Sequence, residues 1–91
     1  MLRSSVQMYG ETITPVEVED IVSLLQQNKL RLLALRDCTV LDQCFEKLMQ
    51  AVGCCKCILH LNLNLGMITS CSRAWMLAKA LNDNRSLISL L

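Results

Sequence analysis

The sequence predicts an α/β fold: a short, right-handed solenoid with parallel strands on its concave face, helices on its convex face and an open C-terminal end. Three observations predict it. An apolar pattern, L-x-x-L-x-L-x-x-C-x-L with Val40 in the last slot, runs from Leu30 to Val40. The same slots are refilled by Ile58, Leu61, Leu63, Gly66 and Ile68, and a third copy opens at Leu87 and reaches Leu90. Between the copies lie stretches with apolar residues at helical spacing, so each unit pairs one strand with one helix. A single unit cannot bury its own apolar face; stacking several builds a continuous core.

The copies divide the chain into a degenerate N-terminal repeat (1–29), two full repeats (30–57 and 58–86) and the start of a truncated repeat (87–91). In the first, Val6, Met8 and Ile13 take apolar slots while Arg3 and Glu11 miss theirs. A terminal repeat tolerates this because its outer face meets water. Val6–Tyr9 is the expected edge strand. Thr14-Pro-Val-Glu17 then reads as a helix start: Thr at the cap, Pro at the first helical position, Glu three residues after the cap. The helix runs to about Gln27, with Val18, Ile21, Val22 and Leu25 as its apolar stripe. Glu17, Glu19 and Asp20 place negative charge in its early turns, where the helix dipole favours it.

The second unit opens with a strand around Leu32–Arg36. Side chains alternate along a strand, so Leu33 and Leu35 point inward. Asp42 is the expected cap of a helix over Gln43–Val52, with Phe45, Leu48, Met49 and Val52 inward and Gly53 as its stop. In the third unit a strand spans about His60–Leu63. Ser70 or Ser72 caps a helix reaching about Leu81, with Ala74, Leu77, Ala78 and Leu81 as its inner face.

A strand–helix unit of this length has Cys38 in the ladder slot. Leu77-Ala-Lys-Ala-Leu-Asn-Asp-Asn-Arg-Ser-Leu87 stands at its helix end. Together these features resemble the leucine-rich repeat of the ribonuclease-inhibitor type. The likeness covers 30–90 well and 1–29 loosely. It implies a longer array than this chain carries. Two departures stand out: Gly66 where the pattern has Asn or Cys, and Cys54-Cys-Lys-Cys57 where it has a polar turn.

Composition excludes several function classes. Net charge is +1, which offers no electrostatic footprint for nucleic acid or an anionic membrane. One Phe, one Tyr and one Trp are too few for a base-stacking platform. The N-terminal residues contain no continuous apolar run of the kind a signal peptide carries. The longest charge-free window, Cys57–Ser72, is too short to span a bilayer. The expectation is a cytoplasmic protein with no nucleic-acid or membrane partner. Its six cysteines are then reduced, and Asn84-Arg-Ser86 is not a glycosylation acceptor.

The one cluster with metal-ligand chemistry is Cys54, Cys55, Cys57, His60 and Cys71. Four such ligands closing on one ion would make a structural zinc site and a zinc-stabilised mini-domain. The spacing lacks paired C-x-x-C motifs, and repeat register separates the members, which favours buried structural thiols and no cofactor. His60 has Leu32 and Ser89 as its expected lateral neighbours, without the carboxylate that would orient a general base. The three glycines are isolated, so no phosphate loop exists. No enzyme is expected.

Repeat register instead names a surface. Outward strand positions form columns on the concave face: Gln7, Ala34 and Asn62; Tyr9, Arg36 and Asn64; with Asp37 beside Arg36 and His60 at the strand start. Such faces bind protein partners in solenoids, and Tyr and Arg are enriched at binding hot spots. The alternative for these positions is an ordinary solvated strand face. The alternative for the whole chain is a truncated fragment of a longer array with no independent function. Its open C-terminal edge would then invite self-association. Trp75 is expected on the flank of its helix, as lateral packing for a neighbouring helix.

Overall fold

Strands and helices alternate along the chain. In this computed structural model, which describes residues 5–90, the strands are β1 (Ser5–Tyr9), β2 (Leu32–Arg36), β3 (His60–Leu63) and β4 (Ser89–Leu90). They are separated by the helices α1 (Pro15–Gln26), α2 (Asp42–Cys54) and α3 (Cys71–Asp83), with one 3-10 turn at Leu65–Met67. Parallel strands need long crossovers, and each helix supplies one. The four strands form one parallel sheet in chain order. Ser5 lies opposite Leu32, Leu32 opposite His60, and His60 opposite Ser89, so lateral neighbours are 27, 28 and 29 residues apart. Strand pairing therefore follows the offsets of the apolar pattern. The expectations at Arg3 and Leu91 lie outside the described residues.

The apolar slots form the core. Val6, Leu33, Leu35, Leu61 and Leu63 of the strands cluster with Leu25 of α1 and with Phe45, Leu48 and Val52 of α2. Leu30 and Ile58, which open their copies of the pattern, are also fully buried. Each such side chain contributes about 1.5–3 kcal/mol relative to exposure. Cys38, Cys44 and Cys55 belong to the same core as small hydrophobes. The turn at Cys54–Cys57 is thus anchored by Cys55, whose N–H also donates to Ala51 O at 3.0 Å.

The start of α1 is as read from the sequence. Thr14 Oγ1 accepts from Glu17 N–H at 3.2 Å, and Glu17 Oε1 accepts from Thr14 N–H at 3.0 Å. Ser70 caps α3, accepting from Arg73 N–H at 3.2 Å.

Three local expectations are corrected. Asp42 is the first residue of α2 rather than its cap; the cap position is Leu41, which makes no side-chain cap bond. The Asp42 carboxylate turns instead to Arg73. Gly53 does not stop α2, which continues to Cys54. Its missing side chain lies where α3 approaches: a Cβ there would sit 3.5 Å from Ala80 Cα. The inner face of α3 is Arg73, Met76, Leu77 and Ala80, while Ala74 and Ala78 are exposed and Leu81 is half-buried. The stripe keeps its helical spacing but shifts by one residue, and it brings Arg73 onto the carbonyl groups of Val40 and Met67.

Candidate partner-binding face

Helices cover one face of the sheet, and alternation sends the remaining strand side chains to the other. The register sets these in rows. Ser5, Leu32, His60 and Ser89 make the first, Gln7, Ala34 and Asn62 the second, and Tyr9 and Arg36 the third. Gln7, Tyr9 and Arg36 are exposed; Asn62 and His60 are half-buried. Ala34 is buried between its row neighbours, so the middle of the face is low and its margin carries the longer side chains. Tyr9, at 67% exposure, stands at one margin with Arg36 directly beside it.

Asp37 and Asn64 are engaged with each other. Asp37 has φ +53°, the left-handed region that Asp and Asn tolerate better than other non-glycine residues. Its N–H donates to Asn64 Oδ1 at 3.1 Å, and Asn64 Nδ2 donates back to Asp37 Oδ1. Gly66 makes room for this pair, since a Cβ there would come within 3.0 Å of Asp37 Oδ1. The departure from the repeat pattern at Gly66 thus has a steric reason. Cys38 adds a weaker contact, Sγ to Arg36 O at 3.5 Å.

At the first row His60 Nδ1 lies 2.6 Å from Ser89 Oγ. Among the described residues no carboxylate holds the other ring nitrogen, so the pair lacks the orienting group of a nucleophile–base system. It ties β4 to β3, where backbone pairing spans two residues on each strand. The cysteines do not converge. Cys54 and Cys71 are exposed, Cys55 is buried, and among the described residues no three His, Cys, Asp or Glu side chains are placed to hold a metal ion. Trp75 is 66% exposed and borders a groove between α2 and α3 with Met49, Met76 and Glu46.

Two structural side chains escaped the sequence reading. Arg73 is buried and donates to Asp42 Oδ1 at 2.7 Å, Val40 O at 2.6 Å and Met67 O at 3.1 Å, with its guanidinium 4.8 Å from the centre of the Phe45 ring. Asn84 is buried below α3. Its amide donates to Val52 O at 2.6 Å and Cys55 O at 3.0 Å, and its oxygen accepts from Ser86 N–H and Leu87 N–H. The signal for Asn84 was its place in the Leu77–Leu87 motif; Arg73 had none.

Among the described residues no helix is long and apolar enough to cross a membrane. Leucine-rich repeat-containing protein 73 of Rattus norvegicus is 44% identical to this chain over 90 residues, and so is the Homo sapiens protein of that name. Each match takes in 99% of this chain and 28% of the relative. The chain therefore resembles part of leucine-rich repeat-containing protein 73 and spans little more than a quarter of its length. No family model matches, and no solved structure matches.

Proposed function

We propose that this chain is a non-catalytic interaction module that docks a partner protein on the sheet face turned away from the helices. The observation that carries this reading is the outward pair Tyr9–Arg36, side by side on β1 and β2 and both exposed. Around them Gln7, His60, Asn62, Asp37 and Asn64 offer donors and acceptors on a rigid scaffold. A partner would gain an aromatic contact at the margin and a guanidinium fork beside it with little ordering cost, because strand positions are already held by the ladder. We read the face as the concave side of a right-handed solenoid of the ribonuclease-inhibitor type, working in the cytoplasm. Asp37 and Asn64 then serve chiefly by shaping the rim, since each already holds the other.

The test is retention of cell proteins by the immobilised chain and by a Tyr9→Ala/Arg36→Ala variant of equal stability. The reading expects a protein retained by the first and lost by the second. Equal retention would overturn it. A second reading, that these residues act only as part of a longer repeat array, is supported by the 28% share of the relatives that the chain matches.

A further inference from the structure

The edge of the sheet formed by β1 carries a second docking feature. Among the described residues β1 has one strand neighbour, β2, and between its other edge and α1 runs a groove of about 360 Å³. Val6, Met8 and Leu24 supply its apolar lining, and Glu11, Glu17 and Asp20 supply its charge. Among the described residues no basic side chain lines it. Glu17 is occupied by the cap of α1. Among the described residues the carboxylates of Glu11 and Asp20 have no hydrogen-bond or ion-pair partner. Met8 and Leu24 are only partly covered, and the sheet edge beside them is a template for strand addition.

We propose that this groove accepts an extended basic segment of a partner protein, which adds to the β1 edge and places Lys or Arg side chains between Met8 and Leu24 and against Glu11 and Asp20. Lys and Arg fit both halves of the site. Their aliphatic stems cover apolar surface while their charged ends reach the carboxylates. A purely apolar side chain would leave the carboxylates unanswered, and an acidic one would meet like charge. Alternation along the added strand sends every second residue toward α1, so the recognised pattern is a basic residue at every other position.

The test uses the full chain and a fluorescent hexapeptide alternating Thr and Lys. Two control peptides replace Lys by norleucine, which keeps the stem without the charge, or by Glu. Fluorescence anisotropy is expected to show binding strongest for the Lys peptide, weaker for norleucine and weakest for Glu. Raising salt should weaken the Lys peptide most. Glu11→Gln/Asp20→Asn should weaken it about tenfold, while Glu46→Gln/Asp83→Asn on the α2–α3 side leaves it unchanged. Both pairs lie at exposed positions, and neither includes the capping Glu17. Equal binding of the norleucine peptide, or equal loss in the two variants, would overturn the proposal.

Discussion

Arg73 of α3 donates from Nε to Asp42 Oδ1 of α2 at 2.7 Å, yet the two side chains stand in different surroundings: 7% of the Arg73 side chain is exposed against 79% of Asp42. The ion pair is therefore the lesser part of what Arg73 does. Its other nitrogens donate to Val40 O and Met67 O beneath α3, and its plane lies near Phe45. One cation thus joins the loop before α2, the 3-10 turn and α3.

This asymmetry yields the first expected outcome. Arg73→Ala leaves two buried carbonyls unpaired and should cost roughly 3 kcal/mol or more. Asp42→Asn keeps an acceptor on an exposed side chain and should cost under about 1 kcal/mol. Urea unfolding of the two variants compares them; equal costs would reduce Arg73 to an ordinary ion-pair partner.

The Asp37–Asn64 pair holds the end of β2 in a left-handed turn. Asn64→Ala removes the acceptor for Asp37 N–H and should cost about 1–1.5 kcal/mol. Hydrogen exchange should speed up at the Asp37 amide while the Leu33 and Leu61 amides of the core stay protected.

Gly53→Ala should stabilise the chain by about 0.5 kcal/mol, since glycine in the last turn of α2 carries an entropic cost that alanine lacks. The added Cβ would meet Ala80 Cα and Asp83 Cβ at 3.5 Å, ordinary contact distance. Gly53→Leu has no such room and should lower the melting temperature. Thermal melts of both variants check the pair.

Asn84→Asp replaces an amide that donates to Val52 O and Cys55 O by a carboxylate facing the same two oxygens. The change should cost roughly 3 kcal/mol, and Asn84→Ala somewhat less. Denaturant midpoints for both variants test the order.

What could be read in advance follows from where each signal resides. The strand register was legible because the spacing of Leu33 and Leu61, or of Ala34 and Asn62, is carried by the apolar pattern itself. The start of α1 was legible because Thr14 and Glu17 are three residues apart and complete each other locally. The rows of the outer sheet face followed from register and alternation. Arg73 was not legible: its partners lie on other elements, and in a helix pattern an arginine reads as a surface residue. The same blindness displaced the inner face of α3 by one residue. Gly53 was read as a stop because local rules place glycine past a helix end, whereas its surroundings are set by Ala80 on the next helix. The mutual engagement of Asp37 and Asn64 depended on a turn conformation that periodicity does not encode.

The central claim, that a partner docks on the outward sheet face, is tested most directly by site-specific photo-crosslinking in cells. A photoreactive residue is placed at Gln7 or Asn62 on the sheet, or at Ser72 or Lys79 on α3. The account expects one protein to be captured from both sheet positions and from neither helix position. Capture of that protein from α3 but not from the sheet would contradict it.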